Sequence, residues 1–134
     1  MKKIIIILTL IFALYGPSYA AGPYDGIYSV RVGGFFSNYA SVHEVDNQIV
    51  VILVDPNPNA TWEPMIGTRS GDVVSLSHIP NVSPSDINLN VTVKFDNNGT
   101  STITATATIN SCVNGAAYVC KFPIGIKLDL VKIF

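Results

Sequence analysis

From Leu89 to Phe95 the chain alternates apolar and polar residues without a break: Leu89, Val91, Val93 and Phe95 against Asn90, Thr92 and Lys94. A period of two is the mark of a β-strand with one dry and one wet face, because successive side chains leave a strand on opposite sides. Asp96-Asn97-Asn98-Gly99 follows, and such residues tolerate the positive φ of a hairpin loop. Thr102 to Asn110 then repeats the pattern, with Ile103, Ala105, Ala107 and Ile109 set against four threonines. The two segments predict an antiparallel hairpin.

The same period runs through the rest of the chain. Gly26 to Val32 alternates Tyr28, Val30 and Val32 against Ile27, Ser29 and Arg31, and Gly33-Gly34 ends it. Asn38 to Val45 reads as a second strand, Thr61 to Arg69 and Asp72 to Ile79 as a pair around Ser70-Gly71, and Ile124 to Phe134 as the last. Pro64 assigns its strand to an edge or a bulge, since proline cannot donate to a ladder. Gln48 to Asp55 is apolar at every position from Ile49 to Val54, which predicts a central strand covered on both sides. Pro80 to Asp86 is a loop, and no stretch predicts a helix longer than a turn. About eight short strands with turn signals at roughly ten-residue spacing predict an all-β antiparallel meander closed into a small barrel, with a β-sandwich as the alternative. Closure removes the unpaired edges that invite aggregation.

The N-terminus is of a different kind. Lys2 and Lys3, an apolar run from Ile4 to Tyr15, and Ser18 and Ala20 as small residues before Ala21 are the three parts of a cleaved secretory signal. About twelve apolar residues at 1.5 Å each reach roughly 18 Å, too short for a hydrocarbon core of about 30 Å. Residues 1–20 are therefore expected to be removed, and residues 21–134 to form one secreted or periplasmic domain. Without Lys2 and Lys3, six basic residues face nine acidic ones. Nucleic acid is not an expected partner, because phosphate binding needs clustered Lys and Arg.

Two cysteines in an exported chain predict a disulfide, here Cys112 to Cys120. Asn114-Gly115 between them is also a two-residue hairpin signal, which would leave Cys120 out of bonding range. The disulfide across a wider loop is the preferred reading.

Catalytic and metal-binding patterns do not assemble. His43-Glu44 matches the first two residues of a zinc-protease motif, but Asn47 stands where the second His belongs, and adjacent strand residues point to opposite faces. His78 lies near a strand end with no carboxylate at useful sequence spacing. Asp55, Asn57, Asn59 and Glu63 are spaced like part of a calcium loop, yet Ala60 and Ile66 occupy the positions of its Gly and bidentate Glu. No cofactor or metal is expected. Trp62, the sole tryptophan, could line a ligand site with Tyr39 and His43, because aromatic residues offer contact area at low entropic cost. Four Asn-x-Ser/Thr sequons begin at Asn59, Asn81, Asn90 and Asn98 and matter only in a eukaryotic secretory route, whereas the Lys-Lys-Ile-Ile-Ile-Ile start has a bacterial character.

Gly26-x-Tyr28, the apolar strand at 49–54, Trp62-x-Pro64-Met65-x-Gly67, Phe95-Asp96-Asn97-Asn98-Gly99-Thr100 and the closing Leu130-Val131-Lys132-Ile133-Phe134 together resemble a small β-domain of bacterial exported proteins. The resemblance spans nearly the whole mature chain and implies compartment and fold, with no settled activity. Gly26-x-Tyr28 is also similar to the Gly-x-Trp of the lipocalins, with Tyr in place of Trp and a chain shorter than those ligand-carrying barrels.

Three functions follow as expectations. The first is a non-enzymatic exported binding domain for a protein, for example an inhibitor-like envelope protein. The second is a lipocalin-like carrier of a small apolar ligand, which requires a hollow interior. The third is a small secreted hydrolase using His43 or His78. An outer-membrane barrel ending in Phe134 ranks below these, because several strands are short and the Thr-rich strand at 102–108 lacks aromatic girdles, so no stable membrane insertion is expected.

Overall fold

The computed structural model describes residues 22–54, 62–80, 87–97, 102–115, 119–120 and 123–134, with Trp62 described by its backbone alone. It contains β1 (Gly26–Val32), β2 (Phe35–Val45), β3 (Gln48–Val54), β4 (Trp62–Ser70), β5 (Val73–His78), β6 (Asn88–Asp96), β7 (Thr104–Val113) and β8 (Lys127–Lys132). Each strand runs antiparallel to the next, and β8 returns to β1, so the meander is a closed barrel and not a sandwich.

The tight turns follow from local chemistry. Gly33-Gly34 between β1 and β2 has φ of 57° and 86°, and Asp46-Asn47 between β2 and β3 has φ of 50° and 65°. Positive φ at both central residues gives a turn whose twist matches that of the flanking strands. Asp and Asn are among the few residues with a side chain that tolerate this region.

The alternation expected of β6 and β7 is present, and their Cα partners include Val93 with Ala107 and Phe95 with Ala105. Large residues on β6 thus face alanines on β7, which lets the interior fill without overpacking. Tyr28, Ile49, Met65, Leu89 and Ile109 are the largest of the fully buried side chains.

Three local expectations change. β3 is covered on its inner face only: Ile49, Val51 and Leu53 are buried, whereas Val50 and Ile52 are half-buried and Val54 is exposed. An apolar outer face mimics the signature of a strand sandwiched between layers. Pro64 lies neither at an edge nor at a bulge, since β4 is paired on both sides. Its carbonyl accepts the Ile79 N–H at 3.0 Å where the β4–β5 ladder ends, so the donor that proline lacks falls at the last rung. Strand β2 starts three residues before Asn38, because a register shift at Val30/Arg31 carries the pairing on to Phe35.

Cys112 and Cys120 lie at disulfide distance, with Cα atoms 6.0 Å apart. Asn114 does not set a two-residue turn between them. Its Oδ1 accepts the Cys120 N–H at 2.8 Å, so the residue braces the wider loop. Such a closure contributes about 2–3 kcal/mol in the chain-entropy picture.

Candidate functional site

One end of the barrel is closed by Gly22–Asp25, the segment leading into β1. The Tyr24 ring stacks on Phe95 at 4.0 Å, and its hydroxyl donates to Asp72 Oδ1 at 2.6 Å. Tyr28 donates its hydroxyl to the Tyr24 carbonyl at 2.8 Å. Burial, and then the bond to Asp72, push the Tyr24 phenol up to about 12, and burial raises Tyr28 as well. Arg69 lies over the Tyr24 ring at 5.5 Å and donates through Nε to Glu44 Oε1 at 2.5 Å. Asp25 accepts from the backbone N–H groups of Gly22 and Glu44. These contacts pack Gly22–Asp25 against the end of the barrel.

Towards the other end, the inner wall carries His78 and Glu63, with Nε2 and Oε2 3.6 Å apart. Sequence spacing offers His78 no carboxylate, and the fold supplies one. Met65 pairs with His78 across the β4–β5 hairpin, which makes Glu63, two residues before Met65, the diagonal inner-face neighbour. Counting back from the turn at Ser70-Gly71 would have found the pair. His78 is buried, and its Nε2 has no hydrogen-bond partner among the described residues.

Deeper in the barrel lies a cavity of about 20 Å³, lined by apolar side chains that include Val51, Leu53, Met65 and Leu76. That is room for about one water molecule, against roughly 300–1,000 Å³ for a small-molecule site.

The outer surface distinguishes two regions. On β2–β4 the register stacks Tyr39, Val54 and Trp62 on one rung, Ser41, Ile52 and Pro64 on the next and His43, Val50 and Ile66 on a third. No Asp, Glu, Lys or Arg occurs in the three rungs. Tyr39, Val54 and Ile66 are each about 40% exposed. The register shift at Val30/Arg31 leaves Ser37 as an extra residue in β2, and this turns Phe36 onto the same face as Tyr39, with ring centroids 4.9 Å apart. Phe35, 80% exposed, stands at the margin of the patch.

The three residues expected to line a ligand site are therefore placed on one outer face. Trp62 and Tyr39 occupy positions on the same rung, two strand spacings or about 10 Å apart, and His43 lies about 13 Å further along β2. Tyr39 and His43 lie on the outer face, and the register sets the Trp62 backbone on the rung of Tyr39. His43 Nε2 is 3.0 Å from Ser41 Oγ, and no carboxylate touches the ring among the described residues. Glu44, the next residue, points inward and is buried, as alternation requires. Sequence reading missed Phe35 and Phe36, because the bulge that orients Phe36 leaves no signature in the chain. The calcium-like spacing at Asp55, Asn57 and Asn59 falls outside the described residues.

On β5–β8 the equivalent rungs are polar and bonded to one another. Ser77 donates to Asn90 Oδ1, Asn90 Nδ2 to Ser111, and Asn110 Nδ2 to Thr92, at 2.8, 2.8 and 2.7 Å. Comparison of the chain with protein-family models, with curated proteins and with solved structures finds no match.

Proposed function

We propose that this chain is an exported, non-enzymatic binding domain that docks a protein partner on the outer face of β2–β4. The observation that carries the reading is the uncharged triple rung around Tyr39, Ile52 and Ile66, flanked by Phe35 and Phe36. Contact surfaces of this kind are depleted in charge at their centre and enriched in aromatic residues. Single exposed apolar residues need no explanation, but a contiguous group of them on one side of a barrel does.

The contrast with β5–β8 supports a water-facing protein. A membrane barrel carries its apolar belt all the way round, with a polar lumen. Here the outside of β5–β8 is rich in Ser, Thr and Asn, and the inside is mainly apolar. Export rests on the N-terminal signal pattern, and a disulfide-distance cysteine pair is compatible with an oxidising compartment.

Photo-crosslinking from position 39 or 66, with position 108 as the control on the polar face, tests the proposal in cells that export the protein. Adducts with a single protein from 39 and 66, lost when Phe36 and Val54 are changed to serine, are the expected result. Equal adducts from position 108, or none from either face, would overturn it.

A further inference from the structure

We infer that Asn114 is a site of spontaneous deamidation, through attack by the Gly115 backbone nitrogen, and that the Cys112–Cys120 bridge guards it. The site is separate from the docking face on β2–β4. It takes up the Asn-Gly pair that does not form the two-residue turn.

The residues supply the chemistry. Asn is among the thermolabile side chains, and Gly115 has no Cβ to crowd its own backbone nitrogen. When that nitrogen attacks Asn114 Cγ, a new C–N bond closes a cyclic imide. The Asn114 amide nitrogen leaves as ammonia and takes with it the proton of the Gly115 N–H. Water then opens the ring at either carbonyl, which leaves position 114 as an aspartate or as an isoaspartate whose backbone runs through the former side chain. In sum, one water is consumed and one ammonia is released. Asn114 is exposed and Gly115 half-buried, so water has access to the imide.

The fold holds the amide off this path. Asn114 Oδ1 accepts the Cys120 N–H at 2.8 Å, so the side chain reaches across the loop instead of folding onto its own neighbour. Cys112, two residues before Asn114, has its Cα 6.0 Å from that of Cys120. A small ring results: backbone from Cys112 to Asn114, a hydrogen bond from Asn114 to Cys120, and sulfur back to Cys112. The bridge fixes the donor, and the donor fixes the amide. With the cysteines as thiols the ring is open, and the amide is free to turn towards Gly115.

The two states of the cysteines therefore leave different marks. A bridged chain keeps the neutral amide at position 114. A chain that stays in the thiol state gains a negative charge there, and the isoaspartate product also adds a methylene to the backbone between Cys112 and Cys120.

The test follows the amide-to-acid mass change at position 114 by peptide mapping of the full-length protein. Three samples are compared: bridged wild type, wild type kept reduced by a phosphine, and Cys112→Ser/Cys120→Ser, with circular dichroism recording the fold of each. Conversion is expected to be at least about fivefold slower in the bridged protein than in the other two, the factor that one net hydrogen bond supplies. Gly115→Ala in the reduced protein should slow conversion, because a Cβ crowds the attacking nitrogen. Should the reduced and serine forms not fold, bridged wild type in urea replaces them: losing the hydrogen bond with the bridge intact should raise the rate at least about fivefold. Equal or faster conversion in the folded, bridged protein overturns the guard. A reduced or urea-unfolded chain that does not convert at position 114 overturns the site, and a rate that Gly115→Ala leaves unchanged overturns the backbone attack.

Discussion

The outer surfaces of β2–β4 and β5–β8 cover the same kind of interior yet have opposite chemistry. Both halves line the barrel mainly with apolar residues, with Glu44, Glu63 and His78 as the inward polar exceptions near its ends. Outside, the first half shows rungs of Tyr, Val, Ile and Pro without a formal charge, and the second shows Ser, Thr and Asn in a hydrogen-bonded ladder with Lys94 and Asp129. Since the fold needs only the inner alternation, the difference outside is free to carry function. Exposed apolar residues also occur elsewhere, at Val73, Val113, Ile124 and Phe134, so what sets β2–β4 apart is its run of three uncharged rungs.

The comparison predicts which substitutions affect both halves and which affect one. Phe95 lies under the whole assembly, stacked on Tyr24 and facing Ala105. Its change to alanine should cost about 3–5 kcal/mol in denaturant unfolding. Tyr24 should produce an alkaline limb. Its phenol is raised to about 12 in the folded state, so the stability it contributes is complete below the unfolded value of 10.0 and lost as pH rises from there through 12. Tyr24→Phe should flatten that part of the stability curve, and an unchanged slope between pH 10 and 12 would contradict the account.

Smaller effects separate the two outsides. Ile66→Lys should reduce crosslinking to the partner at least tenfold, or about 1.4 kcal/mol, while leaving the melting temperature within a few degrees. Asn90→Ala removes two side-chain bonds from the polar ladder and should cost about 1–2 kcal/mol of stability with no effect on binding. Thr108→Lys should change neither by more than about 0.5 kcal/mol, as expected of a substitution away from any special feature. If Thr108→Lys weakened crosslinking as much as Ile66→Lys, the two faces would not differ in the way proposed.

Much of the fold could be read from the residues because a closed barrel is built from local pairings. The β6–β7 hairpin follows from Leu89 to Phe95 meeting Ile103 to Ile109, and the alternation of Tyr28 and Val30 follows from the same rule. The outer face was harder to read. Val50, Ile52 and Val54 suggest a covered strand, since composition cannot tell a second layer of protein from an apolar outer surface. His78 and Glu63 are fifteen residues apart in sequence and meet only through hairpin register. Phe36 joins Tyr39 because of one extra residue in β2, a geometric event that alternation by itself excludes. Asn114-Gly115 shows the opposite failure, a strong turn signal overridden by a covalent constraint a few residues away.

The ladder between β1 and β8 has a consequence in time. The Ser29 hydroxyl bonds to the Val131 carbonyl across 102 positions of chain, and no earlier pairing can substitute for that seam. Loops of this length close slowly compared with hairpins. A chain made from its N-terminus must therefore carry β1 with one unpaired side until Lys127–Lys132 is free to pair with it.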